Sequence, residues 1–174
     1  MGNGNDSILE AYLFETNSLL EQLDSLVLAA EEKDSFSEED VNTIFRIMHT
    51  IKGSSAMMEY SSLMTIAHRA EDLFAIVRDK SMEIVPEALR PALFDLLFQI
   101  IDFFRGEIER IENGQPLTQT IDSLLQKVIV YSANSKWRRR CAGRGSAGRA
   151  GGAGPADSGP AAVPGFPVCL SSSL

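Results

Sequence analysis

His49, Lys52 and Gly53 stand close together in FRIMHTIKGSSAMM, residues 45–58, a stretch otherwise suited to a buried helix. An imidazole titrates near neutral pH, so its unprotonated nitrogen is available as a nucleophile. A lysine three residues on lies one helical turn away and can offset negative charge that arrives on the ring. A mid-helix glycine costs about 0.5–1 kcal/mol relative to alanine, which is tolerable if a partner must approach closely. The group such a site would carry is an anion, and a phosphoryl group fits best.

At ~100° per residue with Val41 at zero, Lys52 falls near 20°, Phe45 near 40°, Ala56 near 60°, His49 near 80° and Gly53 near 120°. The apolar stripe centres near 320° on the same wheel. His49 therefore belongs on the shoulder of the buried face, with one nitrogen able to meet water. Phe45, Gly53 and Ala56 flank it and are the candidate partner-contact positions. A second segment, IAHRAEDLFAIVRDKS, places His68 and Glu71 three residues apart on one helical flank. If the two helices pack antiparallel, a carboxylate from this flank can accept the Nδ1 proton of His49. That fixes the tautomer and turns a bare Nε2 outward. Blander readings compete residue by residue. A lone shoulder histidine is commonly an amphipathic side chain, His68 with Glu71 is commonly a surface pair, and Gly53 could mark close helix packing. Two histidines and a glutamate could also bind zinc, but neither H-E-x-x-H spacing nor a nearby cysteine supports it, so no metal site is expected.

The elements that must position these residues are helical throughout. Leu9, Leu13, Leu20, Leu23 and Val27 recur at helical spacing over 7–31. A polar break follows, with Ser35 or Ser37 as the next cap, each three residues before an acid. A second helix over 38–59 carries the stripe Val41, Ile44, Phe45, Met48, Ile51 and Ser55. A third over 61–80, opened by Ser61 or Ser62, carries Leu63, Ile66, Ala67, Ala70, Leu73, Phe74 and Val77. A fourth starts near Pro86 or Pro91, since proline suits a first turn, and runs to about 112. Gly114 is its expected C-terminal cap, with Pro116 beyond. A fifth, over 118–132, carries Ile121, Leu124, Leu125, Val128 and Ile129. The expected fold class is all-α, an antiparallel four-helix bundle with an additional fifth helix.

Charge divides the 174-residue chain in two. Residues 1–132 hold 10 Lys and Arg against 23 Asp and Glu. This acidic balance argues against nucleic acid as a partner. Residues 133–174 are basic and rich in Gly, Ala, Arg and Pro, and hold both cysteines, Cys141 and Cys169. That segment reads as a disordered tail, either an artificial or out-of-frame extension or the start of a natural linker. The domain over 1–132 has no cysteine, as expected for a cytoplasmic protein. No apolar run approaches the ~20 residues of a membrane span, and no secretory signal opens the chain.

Together, HTIKGSSAMM and IAHRAEDLFAIVRDKS resemble the histidine phosphotransfer (HPt) domains, in the branch found at the N-terminus of CheA-type chemotaxis histidine kinases. The likeness covers about residues 7–132. It implies His49 as the phospho-accepting histidine, Lys52 as the lysine that tunes it, and Glu71 as the carboxylate on its ring. It implies His68 as a second histidine of that network and Gly53 as the small residue that admits a partner. Glu59-Tyr60 stands where many relatives have glycine followed by an aromatic. The resemblance further implies phosphorylation by the kinase's own ATP-binding domain and transfer to an aspartate of CheY- or CheB-type response regulators. No Gly-rich nucleotide loop occurs in this chain. ATP and Mg are thus expected on a kinase domain elsewhere, with no cofactor here and the isolated domain a monomeric carrier. An HPt module of a non-chemotaxis phosphorelay is the nearest alternative, and a plain interaction bundle the next.

Overall fold

Ser37 begins the helix that carries the site. Its hydroxyl accepts from the Asp40 backbone N–H, and Asp40 returns a bond to the Ser37 N–H at 2.8 Å. This reciprocal pair fixes both the start and the phase of the helix. The computed structural model describes residues 3–133. Five α-helices follow in order: α1 Asn3–Glu31, α2 Glu38–Met57, α3 Ser61–Lys80, α4 Arg90–Glu112 and α5 Asp122–Ala133. Single 3-10 turns at Met82–Ile84 and Glu87–Leu89 lead into α4. No strand occurs among the described residues, so the all-α expectation holds. The tail assigned from composition, residues 133–174, lies outside the described residues beyond Ala133.

α1 with α2, α2 with α3, α1 with α4 and α4 with α5 run antiparallel, α5 also lies against α3, and cross-links fix the registers. Asn17 reaches Glu112, and Arg105 reaches Asp24, between α1 and α4. Tyr12 pairs with Ser55 between α1 and α2. Lys127 meets Gln99, and the Tyr131 hydroxyl donates to the Leu89 carbonyl, between α5 and the α4 region. α2 and α3 form the most extensive pair, joined by a short turn. Their shared interior includes Ile44, Met48, Ile51, Leu63, Ile66, Ala70, Leu73 and Phe74, all at or near zero exposure. Burying such side chains is worth about 1.5–3 kcal/mol each, which makes this pair a firm platform.

Several expectations change. The α2 stripe takes Ile47 inside and leaves Phe45 half-buried, because Phe45 lies on the α3 flank of the outer surface. In α1 the inner face at the start is Tyr12 and Thr16, with Leu9 and Leu13 only half-buried. The Tyr12–Ser55 pair sets that rotation. Neither Ser61 nor Ser62 caps α3. Ser62 is buried and donates to Glu107 at 2.8 Å instead. The fourth helix begins at Arg90 with Pro91 in its first turn, while Pro86 precedes a 3-10 turn. The fifth begins at Asp122 rather than 118, because the Thr118 N–H and hydroxyl are committed to Glu107. Gly114 caps α4 as expected. It has φ +64, donates to the Ile111 carbonyl, and sets Gln115 to donate to Arg110.

Candidate functional site

The site is built on α2 and α3 near the middle of both helices. The antiparallel packing inferred from sequence brings Glu71 under His49. The Nδ1 of His49 is 2.8 Å from Glu71 Oε1. Lys52 Nζ is 2.5 Å from Glu71 Oε2. One carboxylate therefore holds the imidazole with one oxygen and the ammonium with the other. The exposures grade sensibly: 64% for the His49 side chain, 28% for Lys52 and 11% for Glu71. The acid is the anchored partner and the histidine the presented one.

The electrostatics favour an ionised Glu71. Burial alone would raise its pKa, but bonds and charge from Lys52 and then His49 outweigh it and hold the carboxyl below its usual range. An ionised carboxylate can only accept, so the Nδ1 of His49 donates to it. That leaves the Nε2 lone pair as the ring's nucleophile, and none of the described hydrogen bonds uses Nε2. The ring also lies beside Phe45, whose centroid is 6.3 Å away at an interplanar angle of 20°.

The flanking residues leave room. Gly53 is exposed, and a Cβ built on it would meet nothing within 4 Å. The close-packing explanation for this glycine is thereby excluded. Ala56 is exposed beside it, and Met57 is 85% exposed. An open apolar strip thus borders the histidine on the outer surface of α2. His68 sits one turn before Glu71 but turns the other way. Its Nε2 lies 3.8 Å from Asp72 Oδ1, and the described contacts do not join it to His49 or Glu71.

A family model for the Hpt domain matches residues 7–114. The chain belongs to the Hpt domain family. Several curated proteins similar to it are named chemotaxis protein CheA. It is 29% identical to the chemotaxis protein CheA of Treponema pallidum and 28% identical to that of Bacillus subtilis, each over 74% of this chain. It is 32% identical over 62% of the chain to the sensor histidine kinase CheAY of Helicobacter pylori. These alignments take in only 15%, 18% and 14% of the respective relatives. The chain therefore spans a small part of the proteins it matches.

Two residues that matter to this Hpt fold escaped sequence reading. Glu107 is 1% exposed and accepts from Ser62 and Thr118, pinning the turn after α4 against the start of α3. Its place near the aromatic stripe of α4 was the available clue. Arg78 lies with its guanidinium carbon 4.1 Å from the Phe45 ring centroid. No local spacing joins residues 45 and 78, so only the α2–α3 register could have revealed it. Among the described residues, no group of three or more His, Cys, Asp or Glu is gathered in metal-binding fashion. No described helix is long and apolar enough to cross a membrane.

Proposed function

We propose that this chain is the phosphoryl-carrying domain of a CheA-type chemotaxis histidine kinase, with His49 as the acceptor. One observation carries the reading. A largely exposed imidazole is held at Nδ1 by a carboxylate that is itself held by a lysine. Such a ring is pre-oriented and keeps one lone pair facing the solvent side.

In this reading Nε2 attacks the γ-phosphorus of ATP presented by the kinase's ATP-binding domain. The N–P bond forms, the bond to the ADP oxygen breaks, and ADP leaves with the electron pair. Positive charge grows on the ring as this happens. The Glu71 carboxylate stabilises it through the Nδ1–H bond, while Lys52 offsets the charge of the arriving phosphoryl group. In the second step a carboxylate oxygen of a response-regulator aspartate attacks the phosphorus. The N–P bond breaks, and the electron pair returns to Nε2. Glu71 keeps the Nδ1 proton in place throughout, so the ring is ready again. Phe45, Gly53 and Ala56 form the surface that both partners meet, and CheY- or CheB-type regulators are the proposed acceptors. His68 takes a peripheral place beside Asp72.

The test uses the full chain with a CheA kinase core and labelled ATP. Wild type is expected to take up label that is lost on mild acid, as a phosphoramidate is, and His49→Gln to take up none. Label retained in His49→Gln would overturn the assignment. Discharge onto CheY, with no discharge onto a regulator from outside chemotaxis, supports the chemotaxis assignment, and the reverse pattern defeats it.

A further inference from the structure

The Glu71 bond holds His49 at a single atom. A ring tethered only at Nδ1 can still rock about the line to the carboxylate oxygen. The Nε2 lone pair lies in the plane of the imidazole, so its direction depends on the tilt of that plane. In-line attack on phosphorus is sensitive to this direction, because reacting orbitals must be aligned. A second contact that sets the tilt would complete the site.

Phe45 supplies the facing surface. It lies one turn before His49 on α2, and the two rings are within 20° of parallel. Offset stacking at this centroid distance is a favourable aromatic geometry. Phe45 is also met from α3. Arg78 places its guanidinium carbon 4.1 Å from the ring centroid, a cation–π distance. Asp79 in turn accepts from Nε and Nη2 of Arg78 at 3.4 Å. A column thus runs Asp79, Arg78, Phe45, His49, crossing from α3 to α2. It is separate from the bridge made by Glu71 and Lys52. This also accounts for Phe45 staying half-buried on a helix with no aromatic residue among its inner positions.

We infer that Phe45 and Arg78 are positioning residues that set the plane of His49, so that the acceptor is gripped at two places: its edge by Glu71 and its face by the Arg78–Phe45 stack. The inference rests on His49 being a phosphoryl acceptor. It adds to that reading a role for an arginine 29 residues away in sequence, and it gives Phe45 a task inside the domain as well as at its surface.

The experiment loads the full chain with phosphoramidate, a small donor that needs no docking surface. Its P–N bond breaks, ammonia departs with the proton it requires from water, and the Nε2–P bond forms. Phosphohistidine is read by phosphorus NMR. Phe45→Leu keeps apolar bulk but removes the flat face, and loading should slow about 3- to 10-fold, the range one ring–ring contact commands. Phe45→Tyr should restore the rate. Arg78→Ala, at an exposed position, should slow loading about 2- to 3-fold. Added to Phe45→Leu, it should slow it no further, since both act through one column. Nitrogen NMR of the ring should meanwhile show Nδ1 still protonated in Phe45→Leu, because Glu71 is untouched. Wild-type rates in Phe45→Leu and Arg78→Ala, or purely additive losses, would overturn the stacking role while leaving His49 as acceptor. Failure of the wild-type chain to form phosphohistidine with phosphoramidate or with the kinase core would instead overturn the carrier reading itself.

Discussion

Glu71 does two jobs with two oxygens, and the consequences separate by substitution. Glu71→Ala should slow phosphoryl acceptance about 10- to 100-fold, the worth of a hydrogen bond to a charged group. The pH dependence of stability follows from the lowered pKa of this carboxyl. A depressed folded pKa contributes stability that is fully present above the unfolded value, near 4.5, and is lost as pH falls through the folded value. Wild type should therefore lose, below about pH 4.5, an increment of stability that Glu71→Gln never has, measurable by urea titration at stepped pH. Gly53→Ala should stabilise the fold by about 0.5–1 kcal/mol, since the added methyl meets open space. It should leave phosphoramidate loading unchanged and slow only reactions that need a docked protein. His49 and Lys52 were legible because helical spacing puts them on one shoulder of α2, whereas Glu71 was reached only on the condition that α2 and α3 pack antiparallel. The outward turn of His68 toward Asp72 was not, since i+3 and i+4 acids compete for it and rotamer choice decides.

Helix ends show where sequence speaks clearly and where it does not. Ser37 with Asp40, and Gly114 after α4, follow residue preferences that have plain steric and hydrogen-bonding causes. The end of α2 uses the same backbone device with an unfavourable residue. Glu59 has φ 61 and donates to Ala56, while Tyr60 donates to Ser55. This is the left-handed position where glycine is usual, so the break expected before Ser61 could be placed from sequence but not its backbone geometry. Glu59→Gly should stabilise the domain by about 1 kcal/mol by removing the left-handed penalty, raising the thermal midpoint by a few degrees. Glu107 carries the opposite risk. Glu107→Ala would strand Ser62 and the Thr118 N–H, and should cost about 2–3 kcal/mol in chemical denaturation.

Across the whole molecule, stability and chemistry are drawn from different layers. Phe104, fully buried in α4, helps hold the interior that α1 and α4 close over. Phe104→Ala should cost about 3–5 kcal/mol yet leave the loading rate of the folded fraction near wild type, because the reactive groups all belong to α2 and α3. The bundle itself was readable from apolar periodicity. The registers were not, since they depend on long-range pairs such as Tyr12 with Ser55 and Asp24 with Arg105. In the proposed reading the occupied nitrogen leaves a single atom for both transfers. With Nδ1 tied down, whatever charges this ring and whatever discharges it must come to the same atom from the same side. Giver and receiver cannot be seated together, so they must take turns, and a surplus of idle receiver should delay recharging by obstructing the only approach.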